Sequence, residues 1–192
     1  MATENNGYYY ELSEEWTAKW AKKFRPLYDY LVKNPKKCDY HNYKYMVHYD
    51  QIQKLINDFP FIKDIPNFDI NDKTHFFGFL TLNGKNKKSW TPHIDPGSLK
   101  WDITLPLLNC TDESTTSWVE PIAEKTRANT EDIKIYEGKY KLLAATQITN
   151  KALVLRGDIM HKVDVHHERD ETRVVVKISV PNLELDDVLN AL

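Results

Sequence analysis

The chain has 192 residues, a formal net charge of −2 and two cysteines. This length suits one domain over residues 1–192, and two cysteines are too few for a disulfide framework or a cysteine-rich zinc site. A charge this close to neutral disfavours general nucleic-acid binding, for which a basic chain is typical. No apolar run reaches the roughly 18 residues of a membrane span, and the acidic N-terminus lacks the pattern of a secretory signal. We therefore expect no membrane association and a cytoplasmic location.

Residues 1–70 are predicted to form a helical N-terminal support. Over residues 8–35, aromatic side chains recur at a spacing of four and make one apolar stripe, which predicts a helix: Trp16, Trp20 and Phe24. Ser13 suits the N-cap position of this helix, and Pro26 is predicted to begin or kink a second helical piece. A shorter helix is predicted over residues 49–58.

From residue 74 onward the apolar runs become short, rich in β-branched and aromatic residues, and bounded by turn residues, which is typical of strands. Eight strands are predicted, near residues 75–82, 90–95, 101–108, 116–120, 140–148, 151–155, 161–165 and 173–180. This pattern predicts a mainly β fold with flanking α-helices, either a β-sandwich or a jelly roll. The charged stretch 121–139 is predicted to be a long loop that contains a short helix or strand, and residues 182–192 a short C-terminal helix.

Three histidines are followed two positions later by an acidic residue, in His48-Tyr49-Asp50, His93-Ile94-Asp95 and His166-His167-Glu168. With 7 histidines and 28 acidic residues in the chain, random placement alone gives about one such pair. The pattern is of interest because residues i and i+2 of a strand point to the same side, so both can bind one metal ion. The surroundings of each pair must decide between chance and function.

The pair His93 and Asp95 has the surroundings that a metal site needs. A facial triad of two histidines and one carboxylate binds a divalent metal and leaves other positions open, and His161, which opens a later predicted strand, supplies the third ligand. A dicarboxylate bound there would need a cation for its far end, and Arg173 opens the next strand twelve residues on. The first pair lacks such an arginine, and no histidine follows the third. The other histidines considered are predicted to be surface or hydrogen-bonded residues: His48, His75, His166 and His167.

The chain contains the segments TPHIDPG, WDITLPLLNC, LVLRGDIMHKV and ETRVVVKISV. Together they resemble the Fe(II)/2-oxoglutarate-dependent oxygenase superfamily, across roughly residues 75–181. Within that superfamily the chain looks most like the small microbial and phage members related to prolyl hydroxylases. The segment DIMHKVDVHHERDETRVVVKISVPNL is also similar to the end of aspartyl/asparaginyl β-hydroxylases. That group usually lacks the acidic ligand, whereas this chain has Asp95.

The resemblance implies a double-stranded β-helix, a variant of the jelly roll, over residues 71–181, with iron at its open end. It implies three iron ligands: His93, Asp95 and His161. It also implies that Arg173 binds the distal carboxylate of 2-oxoglutarate. A hydroxyl group often assists there, and Thr104 is the candidate for it. Lys177 shares a strand face with Arg173 and is the alternative cation.

The implied activity is hydroxylation or demethylation of a substrate by Fe(II), dioxygen and 2-oxoglutarate, which is decarboxylated to succinate, with ascorbate as an optional reductant. The favoured substrate is a peptidyl residue such as proline, and a small molecule stays open. Two other functions stay open, namely a non-catalytic cupin-like or jelly-roll binding or structural protein, and a metal-dependent hydrolase or isomerase of the cupin type. The resemblance suggests a microbial or phage-encoded protein, and the sequence does not indicate its oligomeric state.

Overall fold

The structure is a computed structural model, and it describes residues 3–5, 7–41, 44–66, 69, 76–82, 90–95, 100–111, 114–122, 125–130, 133–165, 172–179 and 184–190. These ranges contain three α-helices and two short 3-10 helices: α1 (Glu14–Lys33), α2 (Tyr49–Leu55), α3 (Leu185–Asn190), Pro35–Lys37 and Pro60–Asp64. None of the helices in these ranges has both the length and the apolar character needed to cross a membrane.

Strands make up most of the remaining described chain. They are β1 (Thr3–Asn5), β2 (Tyr9–Glu11), β3 (Asp39–His41), β4 (Lys44–Val47), β5 (Phe76–Leu82), β6 (Trp90–Ile94), β7 (Trp101–Leu108), β8 (Ser114–Pro121), β9 (Lys125–Thr130), β10 (Ile133–Glu137), β11 (Tyr140–Thr146), β12 (Leu153–Arg156), β13 (His161–Val165) and β14 (Arg173–Ser179). The eight predicted strands correspond to β5–β8 and β11–β14, within a few residues at each end.

The strands form two antiparallel sheets. The larger has the order β1-β2-β12-β7-β14-β5-β4-β3, and the smaller has the order β11-β8-β13-β6-β10-β9. The chain alternates between the sheets from β5 to β8 and again from β11 to β14, so that β12-β7-β14-β5 packs against β11-β8-β13-β6. This strand order is that of a double-stranded β-helix, and it confirms the predicted jelly roll.

The N-terminal helix, α1, has a side-chain N-cap and contains a proline. The Ser13 hydroxyl accepts a hydrogen bond from the Trp16 backbone N–H at 3.2 Å, which is the predicted N-cap. Pro26 does not begin a separate helical piece, because it lies inside one helix that runs to Lys33. Leu27, which follows the proline, is fully buried. Its packing holds the helix on the sheet despite the backbone hydrogen bond that a proline removes.

The edges of both sheets carry strands that the sequence analysis did not predict. Four of them, β1 to β4, belong to the predicted helical support and extend the larger sheet at its two edges. The charged stretch predicted as a long loop with a short helix or strand inside it contains two strands, β9 and β10, which pair with each other. β10 also pairs with β6, so this insertion widens the smaller sheet. Edge strands form where a neighbour offers unpaired backbone groups, and such a neighbour is not visible in sequence.

The two faces of the larger sheet have opposite character. On β7 and β14, one face carries buried apolar residues that join the core beneath α1: Trp101, Ile103, Leu105, Val174, Val176 and Ile178. The alternate residues on these strands point the other way, toward the smaller sheet. We call this second surface the inner face. It carries most of the polar residues of β7 and β14 and therefore lies where the candidate site is.

Phe24 on α1 is expected to be a major contributor to stability. It is fully buried, and its ring centroid lies 5.1 Å from that of Phe61 and 5.8 Å from that of Phe77. Phe24→Ala should lower the free energy of unfolding by about 3–5 kcal/mol, measured by urea denaturation. The exposed Val32 on the same helix provides the matched control. Val32→Ala should change stability by no more than about 0.5 kcal/mol, and equal losses for the two variants would contradict this role.

Candidate metal centre

Three side chains from separate parts of the chain meet at one end of the jelly roll. His93 lies near the end of β6, Asp95 follows that strand, and His161 begins β13. β6 and β13 are neighbours, and their register places His93 directly opposite His161. One ligand atom from each of the three side chains lies within 4.8 Å of the others. The distance from His93 Nε2 to Asp95 Oδ1 is 3.8 Å, and from His161 Nε2 to Asp95 Oδ2 it is 3.7 Å.

Backbone carbonyls orient both imidazole rings. Nδ1 of His93 lies 2.8 Å from the carbonyl oxygen of Thr91, and Nδ1 of His161 lies 2.9 Å from that of Ile159. A carbonyl oxygen can only accept a hydrogen bond, so Nδ1 of each ring carries the proton and Nε2 keeps a lone pair. This arrangement is typical of metal-binding histidines, because the outer hydrogen bond sets both the tautomer and the ring orientation.

Burial and neighbouring charges together set the protonation states of the three groups. Burial lowers the pKa of His161 to about 4 and that of His93 below its ordinary value, so both rings are neutral near pH 7. Burial alone would raise the pKa of Asp95, but the ammonium of Lys177 and the ring of His161 outweigh it and hold that pKa at about 2. Neutral imidazoles and an ionised carboxylate are the protonation states that metal binding requires.

Lys177 bridges the carboxylate of Asp95 to a second carboxylate on the inner face. Its Nζ lies 3.1 Å from Asp95 Oδ2 and 2.9 Å from Asp102 Oδ2. The Ser179 hydroxyl donates a hydrogen bond to Asp102 Oδ1 at 2.6 Å. Burial tends to lower the pKa of Lys177, but the two carboxylates raise it above its ordinary value, so the amine stays charged. Burial raises the pKa of Asp102 to about 6, which leaves this group ionised at neutral pH.

Arg173 and Thr104, both predicted to bind the co-substrate, lie on the inner face. Arg173 precedes Lys177 by four residues on β14 and therefore points to the same side, and it is 5% exposed. Thr104 on β7 is directly opposite Lys177 and is also buried. At about 3.3 Å per residue, the backbone of Arg173 lies about 13 Å along the strand from that of Lys177. The two cationic residues thus lie at different positions along the space between the sheets.

Three residues near the site were missed by the sequence analysis: Lys44, Asp102 and Ser179. A usable signal existed for the last two. Polar residues occupy every second position of WDITL, at 102 and 104, and three of the four such positions of RVVVKIS, at 173, 177 and 179, with Val175 as the exception. This alternation indicates a polar inner face. Lys44 carried no such signal because β4 was not predicted. Burial lowers the pKa of Lys44, and the positive charge of Lys177 lowers it further. The two amines therefore repel each other.

The remaining predicted residues lie elsewhere. His48 precedes α2, its side chain is 51% exposed, and its Nε2 is 3.6 Å from Asp39 Oδ2, in agreement with the predicted surface role. The other three histidines predicted as surface or core residues, His75, His166 and His167, lie outside the described residues. Within the described part of the chain, one group of three or more His, Cys, Asp or Glu residues has a spacing that could hold a metal ion. It consists of His93, Asp95 and His161.

Comparison with known proteins found similarity to solved structures only. No family model and no curated protein matches the chain. Coconut allergen cocosin is 12% identical with a TM-score of 0.35, over 77% of this chain and 29% of that chain. Oxalate decarboxylase from Bacillus subtilis is 12% identical with a TM-score of 0.34, over 78% and 29%. E. coli ycfD is 11% identical with a TM-score of 0.34, over 79% and 39%.

This chain therefore spans less than half the length of each of these three structures. The strand order of the two sheets carries the assignment of a cupin-like jelly roll, independently of these similarities.

Proposed function

We propose that this protein is an Fe(II)- and 2-oxoglutarate-dependent oxygenase that hydroxylates or demethylates its substrate. The observation that carries the proposal is the convergence of two imidazole Nε2 atoms and one carboxylate in a buried site. Two nitrogen ligands and one oxygen ligand suit ferrous iron, and they leave three positions of an octahedron for the co-substrate and dioxygen. The polar inner face behind the cluster supports the same proposal.

The donor set fits iron in its charge, its hydrogen bonds and its burial. The two Nδ1–H groups are held by backbone carbonyls, so no side chain must reorient to present Nε2. The Asp95 backbone N–H donates to the Gly157 carbonyl at 3.0 Å, which ties the end of β6 to the turn before β13. When bound, ferrous iron with 2-oxoglutarate activates dioxygen, so that the keto acid loses carbon dioxide and the substrate gains a hydroxyl group.

Arg173 is the residue that we propose for binding the distal carboxylate of 2-oxoglutarate. Its guanidinium can donate two parallel hydrogen bonds to a carboxylate, which a lysine ammonium cannot do. Lys177, the alternative cation, already contacts two carboxylates of the chain. Thr104, on the same inner face, is proposed to add a hydroxyl donor. In this arrangement the triad would bind the keto acid end and Arg173 the far end, which sets the orientation of the co-substrate.

The apolar part of the inner space suits a reaction that must exclude water. Val175, Leu153 and Ile148 form a small buried cluster, and Val175 lies two residues from Arg173 on the same side of β14. Apolar walls strengthen the electrostatic contacts inside a site and limit side reactions with solvent. β10 borders the site on another side, because Ile135 pairs with His93. A peptidyl residue such as proline remains the favoured substrate, with a small molecule as the alternative and ascorbate as an optional reductant.

Turnover of 2-oxoglutarate tests this proposal most directly. Purified protein supplied with Fe(II), ascorbate, dioxygen and 2-oxoglutarate should form succinate, slowly when no substrate is added, as measured by mass spectrometry. Omission of iron should abolish the succinate, and Asp164→Asn, on the outward side of β13, should leave the rate unchanged.

The other outcomes separate the alternatives. Metal binding without any binding of 2-oxoglutarate would favour the cupin-type hydrolase or isomerase. Failure to bind either metal or keto acid would favour the non-catalytic jelly-roll protein.

A further inference from the structure

We infer that Lys177, Asp102 and Ser179 form a positioning chain for Asp95, in which Lys177 orients the metal-binding carboxylate and Asp102 cancels the charge of Lys177. The inference rests on the metal site of the proposed function. It assigns these three residues no contact with substrate or with iron. Their role is to act through Asp95.

Short contacts link Asp95, Lys177, Asp102 and Ser179 in that order. Lys177 Nζ is 3.1 Å from Asp95 Oδ2 and 2.9 Å from Asp102 Oδ2. Ser179 Oγ donates to Asp102 Oδ1 at 2.6 Å. The Asp102 side chain is 3% exposed and that of Lys177 is 26% exposed, so solvent screens these contacts only partly. Lys177 and Ser179 are two residues apart on β14, and Asp102 is directly opposite Ser179 on β7, so the sheet itself brings the three together.

Stability alone does not explain why Lys177 and Asp102 are charged residues. Buried ion pairs contribute little net stability, because desolvation offsets their attraction, and apolar residues in the same place are often as stable. The opposite face of the same two strands is filled with apolar residues, whereas these inner positions are charged or polar. Charged residues at these inner positions therefore indicate a task other than packing.

The task that the geometry suggests is the orientation of Asp95. Its backbone N–H is held by the Gly157 carbonyl at 3.0 Å, and Lys177 holds Oδ2. Asp95 is thus restrained at its backbone and at its carboxylate before a metal binds. Restraint of this kind by residues outside the ligand set is a general feature of metal sites, and its loss typically weakens metal binding about 10- to 100-fold.

A lysine beside a metal ligand weakens metal binding by charge repulsion, and Asp102 removes this repulsion. A lone ammonium in contact with a metal ligand would repel a divalent cation bound there, because the effective dielectric constant of a buried site is low. With Asp102 at 2.9 Å from Nζ, the lysine and the aspartate act on the metal as a dipole, whose field falls off faster than that of a single charge. Lys177 can therefore hold Asp95 without expelling the metal.

The test is a titration of Mn(II) into the metal-depleted full-length protein, followed by calorimetry. Asp102→Asn keeps the shape of the side chain but exposes the charge of Lys177, and it should weaken Mn(II) binding about 10- to 100-fold. Lys177→Met should weaken Mn(II) binding to a similar degree, because Asp95 loses the contact that orients it. The double variant Lys177→Met with Asp102→Asn should bind Mn(II) about as tightly as Lys177→Met alone, because Asp102 acts only through the charge of Lys177. Two independent structural defects would instead add in the double variant.

The matched control breaks another lysine–aspartate pair. Lys162 Nζ and Asp164 Oδ2 are 2.6 Å apart on β13, the strand that carries His161. Asp164→Asn should leave Mn(II) affinity unchanged. Unchanged affinity in Asp102→Asn, or losses of the two single variants that add in the double variant, would overturn the inference. If Asp102→Asn does not fold by circular dichroism, Ser179→Ala carries the test with an expected loss of roughly three- to tenfold, and no loss would overturn the inference.

Failure of this inference is distinct from failure of the proposed function. A wild-type protein that binds no Mn(II) would overturn the metal site and the inference together. Wild-type protein that binds Mn(II) but never forms succinate would overturn the oxygenase proposal, while the affinities of the variants would still decide the role of Asp102.

Discussion

His161→Ala is expected to abolish high-affinity metal binding while the jelly roll stays folded. The substitution removes one of only three proposed protein ligands. Loss of a mere outer hydrogen-bond partner costs about 10- to 100-fold in affinity, so loss of a ligand should cost at least about 100-fold. β13 pairs with both β6 and β8 through its backbone, and those pairings do not depend on the imidazole. Mn(II) affinity by calorimetry and secondary structure by circular dichroism measure the two effects.

The control for this variant is another histidine of the described chain. His48 is half exposed and lies next to Asp39, outside the metal centre. His48→Ala should bind Mn(II) as tightly as the wild type. Full affinity in His161→Ala would show that the triad is not the metal site, and the proposed function would then lose its main support.

Arg173→Ala is expected to remove 2-oxoglutarate binding and to leave metal binding intact. Each hydrogen bond from a guanidinium to a carboxylate contributes about 1.5–3 kcal/mol. Loss of two of them should weaken 2-oxoglutarate binding by at least about 100-fold. Arg173 is on β14, whereas the three proposed metal ligands lie on β6, directly after β6 and on β13. Calorimetric titration of 2-oxoglutarate into the Mn(II)-loaded protein, with Mn(II) affinity measured separately, tests both parts.

Two further variants protect this experiment from misinterpretation. Arg25→Ala removes an exposed arginine that pairs with Asp29 on α1, and it should change neither affinity. Arg173→Lys keeps a positive charge on the inner face and should lose part of the 2-oxoglutarate affinity, because an ammonium lacks the two-pronged geometry. Wild-type 2-oxoglutarate affinity in Arg173→Ala would show that Arg173 does not bind the distal carboxylate, and it would favour Lys177, the alternative cation, for that role.

The core of the fold was predictable because its strands have a local signature. Residues of β7 and β14 alternate between a face that packs beneath α1 and the inner face, and that period of two is visible in the sequence. The proposed ligand pair was predictable for the same reason. His93 and Asp95 are two positions apart at the end of a strand, a spacing that points both toward one side.

The edge strands and the lysine network were not predictable in this way. β1 to β4 are stabilised by the backbone of strands far along the chain, and β9 and β10 by each other and by β6. The contact between Lys177 and Asp102 also had no local signal. Asp102 lies 75 positions before Lys177 in the chain.

By itself, the sequence determined which residues alternate, where the turns lie and which side chains have metal-binding chemistry. These properties depend on neighbours within a few positions, so they are expressed in any short segment. Only the tertiary structure decided that His161 lies opposite His93, that Lys177 is held between two carboxylates, and that the smaller sheet is widened beside the site. Each of these depends on which strand edges pair, and pairing is set by the packing of the whole chain and not by any one segment.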